Sequence, residues 1–346
     1  MLVSPDKKVK LYFGSCLDVL PTLEPNSIDS CVCDPPYEIN FKGNAWDNSG
    51  VAFQKETWEK VFRVLKPGAF LLAFSATRTY HRMVCGIEDA GFVIKDQLGW
   101  VYSNGWPKNL DISKAMKKNG IPNAEDYRGI GTALSPSWEP IVLAQKPLEG
   151  TYIDNILKYT CGGLNIHESR IGDEVRTHPL TPINFFGIDA GEHRGEIQEY
   201  VGRWPKNIIH DGSPEVENTF KESTSIRSKE NPARYFYSAK ASTKEKENTS
   251  HSTVKPLALM RYLCKLVTPK GGTVLDLFAG SGTTGAAARK DGYKSVLIEL
   301  TPTFQGDIAR RLGLNPDFNS VDESIDTDAD YVENAPPADL VSFFDD

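Results

Sequence analysis

The chain has 346 residues, of which 40% are hydrophobic, so it is long enough for one large α/β domain with an insertion or for two smaller domains. Its formal net charge is -7, yet residues 316–346 carry ten Asp/Glu and no Lys/Arg; the rest holds 39 Lys+Arg and 36 Asp+Glu, which permits a polyanionic partner. The sequence shows no run of about 18 apolar residues and no apolar leader, which argues against a membrane span and a secretory signal. The six cysteines form no CxxC pair and no cluster with histidine at ligand spacing, which argues against a disulfide framework and a zinc site. These features predict a soluble cytoplasmic protein.

The first hundred residues alternate between strand-like and helix-like segments. The residue patterns predict strands at 10–14, 28–33 and 69–75 and a helix at 53–65. The KPG sequence at 66–68 is expected to end that helix, and a further helix-like stretch runs from Tyr80 to Gly91. Two strand-like pieces, GFVIKDQ and LGWVYS, follow it.

The character of the chain changes between about 103 and 250, where Gly, Pro, Asn and Ser are frequent and few segments are periodic. Within this region, WEPIVLAQKP at 138–147 predicts a strand that returns to the sheet. The stretch 214–250 is polar and mixed in charge, which is typical of a loop.

Periodic segments return at residue 256 and predict a βαβ unit. PLALMRYLCKLV is an amphipathic helix, and GGTVLDLFAG combines a buried strand with a glycine bend. GTTGAAARKDG is a helix of small residues, and SVLIEL is a second buried strand that ends in an acid. This order of strand, glycine loop, helix and strand is typical of a nucleotide-binding crossover unit.

The glycine loop indicates a nucleoside cofactor. Gly280 and Gly282 permit a tight turn against a ligand, and Glu299, 17 residues after Gly282, can accept two hydrogen bonds from a ribose diol. An ordinary β-to-α turn is the plain alternative, but the spaced acid favours binding. Because the loop has neither GxGxxG nor a GK pair followed by Ser or Thr, we expect a cofactor without phosphates, such as S-adenosylmethionine.

VCDPPYEI at 32–39 places an acid and two prolines at the end of an apolar strand. Asp34 there points into the crevice where open α/β sheets bind ligands. Pro35 and Pro36 remove two N–H donors and fix φ, so a neighbouring carbonyl stays free as a second acceptor. The pair suits an amino group with two hydrogens, beside the flat face of Tyr37. A plain turn after an edge strand is the alternative.

DPPY at 34–37 and DLFAGSGTTG at 276–285 together resemble the amino-group DNA methyltransferases, which modify adenine N6 or cytosine N4 with S-adenosylmethionine. The resemblance covers roughly 1–100 and 250–313, and also includes LKPGAFLLAF, HSTVKPLALM, TVLDLFAG and IARRL. Because DPPY precedes the glycine loop, the order resembles the β arrangement of these enzymes, in which a target-recognition region lies between the two halves.

The resemblance implies an α/β fold: a Rossmann-like class I methyltransferase sheet, circularly permuted and mostly parallel, with an inserted irregular target-recognition region. The implied regions are a catalytic half at 1–102, the inserted region at 103–250 with a sheet strand at 138–147, a cofactor-binding half at 251–314 and an acidic, disordered tail at 315–346.

The resemblance also assigns roles to residues. The implied catalytic residues are Asp34, Pro35, Pro36 and Tyr37. The implied cofactor-binding residues are Ser15, Cys16, Asp34, Lys255, Pro256, Asp276, Phe278, Ala279, Gly280, Ser281, Gly282, Thr283 and Glu299. Asp34 and the Pro35 carbonyl would hold the target amino group, Tyr37 would stack on the flipped base, and Lys255 with Pro256 would close the methionine side. Ser15 stands where the family often has Asp, and its hydroxyl can still hydrogen-bond the cofactor's adenine.

The implied reaction is direct attack by the amino nitrogen of a base extruded from the duplex, which costs a few kcal/mol. Contacts between the inserted region and DNA would offset this cost. The candidate residues for these contacts are Trp106, Lys108, Arg203, Trp204 and Lys206. For each of them, a core tryptophan or a solvated cation is an equal alternative.

The function expected from these features is site-specific methylation of adenine N6 in double-stranded DNA, as in restriction-modification systems. Cytosine N4 is the alternative acceptor. A catalytically degenerate nucleic-acid-binding protein on the same fold is an alternative from another class, and RNA or protein methylation is disfavoured by the motif order. No membrane or metal partner is expected, and a homodimer remains open. The acidic tail either solvates the protein or docks on a basic partner or on the enzyme's own DNA groove.

Overall fold

The computed structural model describes residues 1–40, 45–103, 105, 107, 109–179, 197–221, 236–239 and 253–314. The acidic tail at 315–346 and most of the predicted loop at 214–250 lie outside these ranges. Within them, no helix combines the length and the apolar character that a membrane crossing requires.

The described residues form strands and α-helices with the following bounds. The strands are β1 (Leu2–Val3), β2 (Val9–Phe13), β3 (Ile28–Cys33), β4 (Leu65–Phe74), β5 (Val93–Val101), β6 (Trp138–Gln145), β7 (Ile171–Pro179), β8 (Ile197–Arg203), β9 (Ile208–His210), β10 (Tyr237–Ser238), β11 (Thr273–Asp276) and β12 (Lys294–Glu299). The helices are α1 (Cys16–Val19), α2 (Lys55–Val64), α3 (Tyr80–Asp89), α4 (Ile112–Lys118), α5 (Tyr152–Tyr159), α6 (Pro214–Lys221), α7 (Leu257–Val267), α8 (Thr283–Lys290) and α9 (Pro302–Arg311).

Ten of these strands form one sheet in the order β1-β2-β12-β11-β3-β4-β6-β5-β9-β10. The central strands from β2 to β4 pair in parallel, whereas β6 runs antiparallel to both of its neighbours, β4 and β5. Strands β7 and β8 form a separate antiparallel pair. The predicted mostly parallel α/β sheet is therefore confirmed.

Helices cover both faces of the sheet because its central strands are apolar on both sides. Along β4, Leu71 and Ala73 share one core cluster with Trp58 of α2 and Ile87 of α3. The alternate residues of the strand, including Leu72, belong to a second cluster with α7 and α8. This alternation follows from the two-residue period of a strand, and it produces three layers.

Several predicted elements need correction. The helix ends before KPG, as predicted, because α2 stops at Val64, but the following strand begins at Leu65 and not at residue 69. The two strand-like pieces after α3 form the single strand β5. The polar stretch from 214 begins with α6, and the short strands β9 and β10, which the sequence did not indicate, extend the sheet edge. The strand predicted at 138–147 is confirmed as β6.

Asp29 joins the two ends of the chain at the amino edge of β3 and β11. Its Oδ2 accepts a hydrogen bond of 2.8 Å from the Thr273 backbone N–H, and its Oδ1 lies 2.5 Å from Lys66 Nζ. The Asp29 side chain is 7% exposed, so water replaces neither bond. The carboxylate therefore stabilises the parallel pairing of strands that are more than 200 residues apart.

Replacement of Asp29 by Ala should lower the free energy of unfolding by about 2 kcal/mol, because the Thr273 N–H and the Lys66 ammonium both lose a buried partner. Urea unfolding followed by circular dichroism measures the change. Asp29→Asn is the matched control, since its amide oxygen can still accept from Thr273, and it should lose less. Equal losses in the two variants, or no loss in either, would contradict this role.

Candidate active site

Motif residues from both ends of the chain line one cavity of about 1540 Å³. Because β3 and β11 are parallel neighbours, with Leu275 opposite Cys31, their carboxyl ends lie side by side at one edge of the sheet. The predicted site residues on the cavity wall are Ser15, Cys16, Asp34, Pro35, Pro36, Tyr37, Lys255, Asp276, Phe278, Ala279, Gly280, Ser281, Thr283 and Glu299. Pro256 and Gly282 are not on the wall and instead precede the first residues of α7 and α8.

Glu299 fixes the glycine loop. Its Oε2 accepts a hydrogen bond of 2.7 Å from the Gly280 N–H, and its Oε1 accepts one of 2.7 Å from the Thr301 N–H. Gly282 has φ of +76°, and a methyl group there would lie 3.0 Å from Ile308. The turn therefore needs glycine, and both Glu299 oxygens accept hydrogen bonds from backbone N–H groups around it.

Asp276 ends β11 and is 2% exposed. Its Oδ1 accepts from the Phe278 N–H at 3.0 Å, and its Oδ2 accepts from the Thr284 hydroxyl at 2.5 Å. Burial raises the pKa of Asp276 to about 7; the hydrogen bonds from Thr284 and Phe278 act in the opposite direction, and nearby Asp34 and Glu299 add to the rise. The carboxyl group therefore titrates near neutrality.

Ser15 and Cys16 form the opposite part of the wall. The Ser15 hydroxyl caps α1 by accepting from the Leu17 N–H at 3.2 Å, and the Gly14 N–H donates to the Glu299 carbonyl at 3.0 Å. Burial raises the pKa of the Cys16 thiol to about 11, so the thiol is neutral at physiological pH. These contacts attach the start of α1 to the end of β12.

Asp34 is paired with a lysine from the other end of the chain. Its Oδ2 lies 2.6 Å from Lys255 Nζ, whereas its Oδ1 is buried and has no hydrogen-bond partner among the described residues. Nor does any described residue donate a hydrogen bond to the Pro35 carbonyl. The strand end thus carries two acceptors with unused capacity, which is the arrangement that an amino group with two hydrogens requires.

Glu139, the second residue of β6, is a site residue that the sequence did not indicate. Its Oε2 accepts from the Tyr37 hydroxyl at 2.7 Å and lies 3.3 Å from Lys255 Nζ. Lys255 also donates to the Tyr37 oxygen at 3.1 Å. Because β6 is antiparallel, it begins at the edge where β3 ends, and an acid at the start of the predicted returning strand was the available signal.

The charges around Lys255 control its protonation. Burial by itself would lower the pKa of Lys255, but the carboxylates of Asp34 and Glu139 outweigh that effect and raise the pKa above its ordinary value. Burial, together with the same two carboxylates, raises the pKa of the Tyr37 phenol well above its usual range. Lys255 is therefore an ammonium and Tyr37 a neutral phenol at physiological pH.

Asp47 holds the backbone that follows the DPPY motif, and the sequence did not single it out. Glu38 and Asn40 both have φ of 55°, in the left-handed region that few side chains adopt. The Asp47 carboxylate accepts from the Glu38 N–H at 2.9 Å and from the Ile39 N–H at 3.2 Å, and its carbonyl accepts from the Asn40 N–H. These bonds fix the strained segment directly after Tyr37.

Aromatic side chains of the returning strands complete the cavity wall. Trp100, Tyr102 and Trp138 all line it, and the Trp100 and Tyr102 ring centroids are 5.0 Å apart. The predicted strand-like pieces at 91–103 and the predicted strand at 138–147 contained these residues, but no spacing rule connects them to the site.

The five candidates for DNA contact differ in their surroundings. Trp106 and Lys108 lie outside the described residues. The Arg203 side chain is 6% exposed and pairs with Glu174 at 2.7 Å, which leaves it poorly placed for a phosphate while this pair is intact. Trp204 is 59% exposed, and Lys206 is also exposed. Contact of each with DNA stays a prediction.

Comparisons with known proteins identify relatives of the whole arrangement. Residues 28–310 match the N6/N4 family model described as "DNA methylase". The chain is 28% identical over 264 residues to the type II methyltransferase M.HindIII of Haemophilus influenzae, covering 75% of this chain and 68% of that one. It is 36% identical over 286 residues to the type II methyltransferase M2.MboI of Moraxella bovis, covering 82% and 80%. It is 24% identical over 315 residues to the DNA adenine methyltransferase YhdJ of Escherichia coli, covering 90% and 84%.

Asp276→Asn should change how stability depends on pH. Because the pKa of this carboxyl group is about 7 in the folded protein and 3.8 in an unperturbed chain, the folded form holds the extra proton between these values, and its contribution to stability falls as pH rises towards 7. The variant minus wild-type difference in unfolding free energy should therefore increase by up to about 1.4 kcal/mol per pH unit across this window and level off above it. Urea unfolding of the cofactor-free proteins at several pH values tests this, and a constant difference would contradict it.

Proposed function

The chain belongs to the N6/N4 family of DNA methylases, and we propose that it methylates the N6 amino group of adenine in double-stranded DNA. It is an S-adenosylmethionine-dependent DNA amino-methyltransferase with a Rossmann-like class I sheet, related to the type II restriction-modification methyltransferases.

One observation carries the proposed site: Asp34 has a buried oxygen without a described partner in the cavity that also contains the Gly280 loop. We propose that Asp34 and the Pro35 carbonyl accept the two hydrogens of the target amino group. Two acceptors favour a more tetrahedral nitrogen and expose its lone pair. Pro36 keeps the backbone rigid beside them, and Tyr37 offers a face for the extruded base.

The cavity also suits the cofactor. At about 1540 Å³ it exceeds the roughly 300–1,000 Å³ of a typical single-ligand site, so a nucleoside cofactor and a base fit together. We propose that the Glu299 carboxylate accepts hydrogen bonds from the ribose diol and that the Gly280 backbone approaches the cofactor closely. When bound there, S-adenosylmethionine would supply a methyl group on a positively charged sulfur; the target nitrogen's lone pair would take up this methyl group, and the electron pair of the carbon–sulfur bond would stay on sulfur.

The remaining residues of the cofactor site and the target-recognition region also have proposed roles. The contributions of Ser15, Cys16, Asp276, Phe278, Ala279, Ser281, Gly282 and Thr283 to cofactor binding are proposals of the same kind. Closure of the methionine side of the cofactor site by Lys255 and Pro256 is a further proposal. In the described structure, the Lys255 Nζ lies 2.6 Å from Asp34 Oδ2. We propose that residues 103–250, which include the β7–β8 pair, recognise the target sequence.

Adenine is proposed as the acceptor for two reasons. The DPPY form of the motif resembles adenine-specific members more than cytosine-specific members, and the YhdJ relative, which matches 90% of this chain, is named a DNA adenine methyltransferase. Cytosine N4 is the second candidate, because the family model includes both acceptors. An inactive nucleic-acid-binding protein is less consistent with a site in which both acceptors and the cofactor loop are intact.

Incubation of the protein with labelled S-adenosylmethionine and duplex DNA should place the label in N6-methyladenine. Digestion to nucleosides followed by mass spectrometry identifies the product, with RNA and protein as parallel substrates. N4-methylcytosine alone would refute adenine and support the second candidate. Label in none of the three substrates would refute the methyltransferase assignment.

Asp34→Ala should reduce the single-turnover rate of methyl transfer by at least about 100-fold, because one of two acceptors on the target amine is lost. Cofactor affinity measured by calorimetry should stay largely unchanged. Glu299→Ala is the matched contrast, since it should weaken cofactor affinity first. A wild-type rate in Asp34→Ala would refute the role proposed for this carboxylate.

A further inference from the structure

The amine pocket contains more charge than the motif residues alone provide. We define it as Asp34, Tyr37, Glu139 and Lys255, which are joined by contacts of 2.6 to 3.3 Å. The side chains of Lys255 and Glu139 are 11% and 18% exposed, so these interactions are only weakly screened by water. With two carboxylates, one ammonium and one neutral phenol, the pocket carries a net charge of one negative unit.

This balance matters because the reaction leaves the target nitrogen positively charged until one of its protons departs to water. A negative environment stabilises that charge, whereas a neutral one contributes little. The Lys255 ammonium lies 2.6 Å from Asp34 and would by itself neutralise it. Asp34 therefore needs a second anion close to Lys255 in order to act as an anionic acceptor.

Glu139 meets this requirement. It lies 3.3 Å from Lys255, so the ammonium is shared between two carboxylates. Its Oε2 also accepts the Tyr37 hydroxyl, which orients the ring proposed to stack on the base. Tyr102 is a further neighbour; burial, together with Glu139, raises the pKa of its phenol to about 12, so it adds no charge.

We propose that Glu139 is a positioning residue of the methyl-transfer site, whose carboxylate balances Lys255 and so keeps a net negative charge around the target amine. The proposal rests on the role given to Asp34 under Proposed function. It differs from a purely structural role, in which Glu139 would only anchor the Tyr37 ring. The two roles separate when the charge is removed while the hydrogen-bond acceptor is kept.

Glu139→Gln makes that separation, because an amide oxygen can still accept from the Tyr37 hydroxyl. At saturating cofactor, its single-turnover rate of label transfer to DNA should fall at least tenfold, while cofactor affinity by calorimetry stays at the wild-type value. Glu139→Asp keeps the charge and should be faster than Glu139→Gln. A wild-type rate in Glu139→Gln, or equal rates in the two variants, would overturn the proposal.

The double variant Glu139→Gln with Lys255→Met restores a single negative charge on Asp34. We expect it to transfer methyl groups faster than Glu139→Gln alone, although it lacks one more polar contact. A structural role predicts the opposite, since the losses would then accumulate. A double variant that is as slow as Glu139→Gln or slower would therefore overturn the proposal.

Glu149 provides a matched control, because it also accepts hydrogen bonds from a lysine and a tyrosine but lies on the surface. The donors are Lys158 and Tyr159. Glu149→Gln should keep the wild-type rate, and a comparable loss there would show that the assay does not report on the amine pocket. Asp34→Ala distinguishes the role proposed for Asp34 from the role proposed for Glu139. Activity in that variant would remove the role of Asp34, whereas inactivity there combined with full activity in Glu139→Gln would remove only the inference about Glu139.

Discussion

The parallel pairing of β3 with β11 is the constraint on which the site depends. It brings together strands from opposite ends of the chain, so that Asp34, directly after β3, and Asp276, the last residue of β11, lie at the same sheet edge. A crevice outside the carboxyl ends of parallel strands is where open α/β sheets bind ligands. Asp29 secures the other end of the same pair, which connects the stability of the sheet to the geometry of the cavity.

Reversal of one strand provides the second half of the cavity. Because β6 runs antiparallel between β4 and β5, its first residues lie at the edge where β3 ends, and Glu139 reaches Tyr37 and Lys255. The cavity therefore combines two sides: the glycine loop with Glu299, which is the proposed cofactor site, and the proposed amine pocket, which contains Asp34, Glu139 and the Lys255 ammonium. Buried charges of this kind are costly unless each one is paired, and the short contacts satisfy that condition.

Two local segments show how far sequence reasoning reached. The FAGSGTTG loop followed by an acid indicated a nucleoside cofactor because turn, helix and acid lie within one βαβ unit, where spacing determines geometry. DPPY indicated a pair of fixed acceptors because proline restricts the backbone within the motif itself. Boundaries were less accurate: the strand was predicted to begin at residue 69, yet β4 begins at Leu65. KPG instead marks an irregularity inside this strand, because its pairing with β3 passes from Leu65 to Phe70 and Gly68 has φ of 77°.

By itself, the sequence determined the mostly parallel α/β sheet, the amino-methyltransferase resemblance and the two motifs, because each follows from local periodicity or from residues close together along the chain. Only the tertiary structure decided that Lys255 pairs with Asp34 across 221 residues, that Glu139 joins them, and that Asp47 holds the segment after Tyr37. It also showed that the Arg203 side chain is buried and pairs with Glu174. Such contacts depend on strand order and direction in the sheet, which residue spacing does not record.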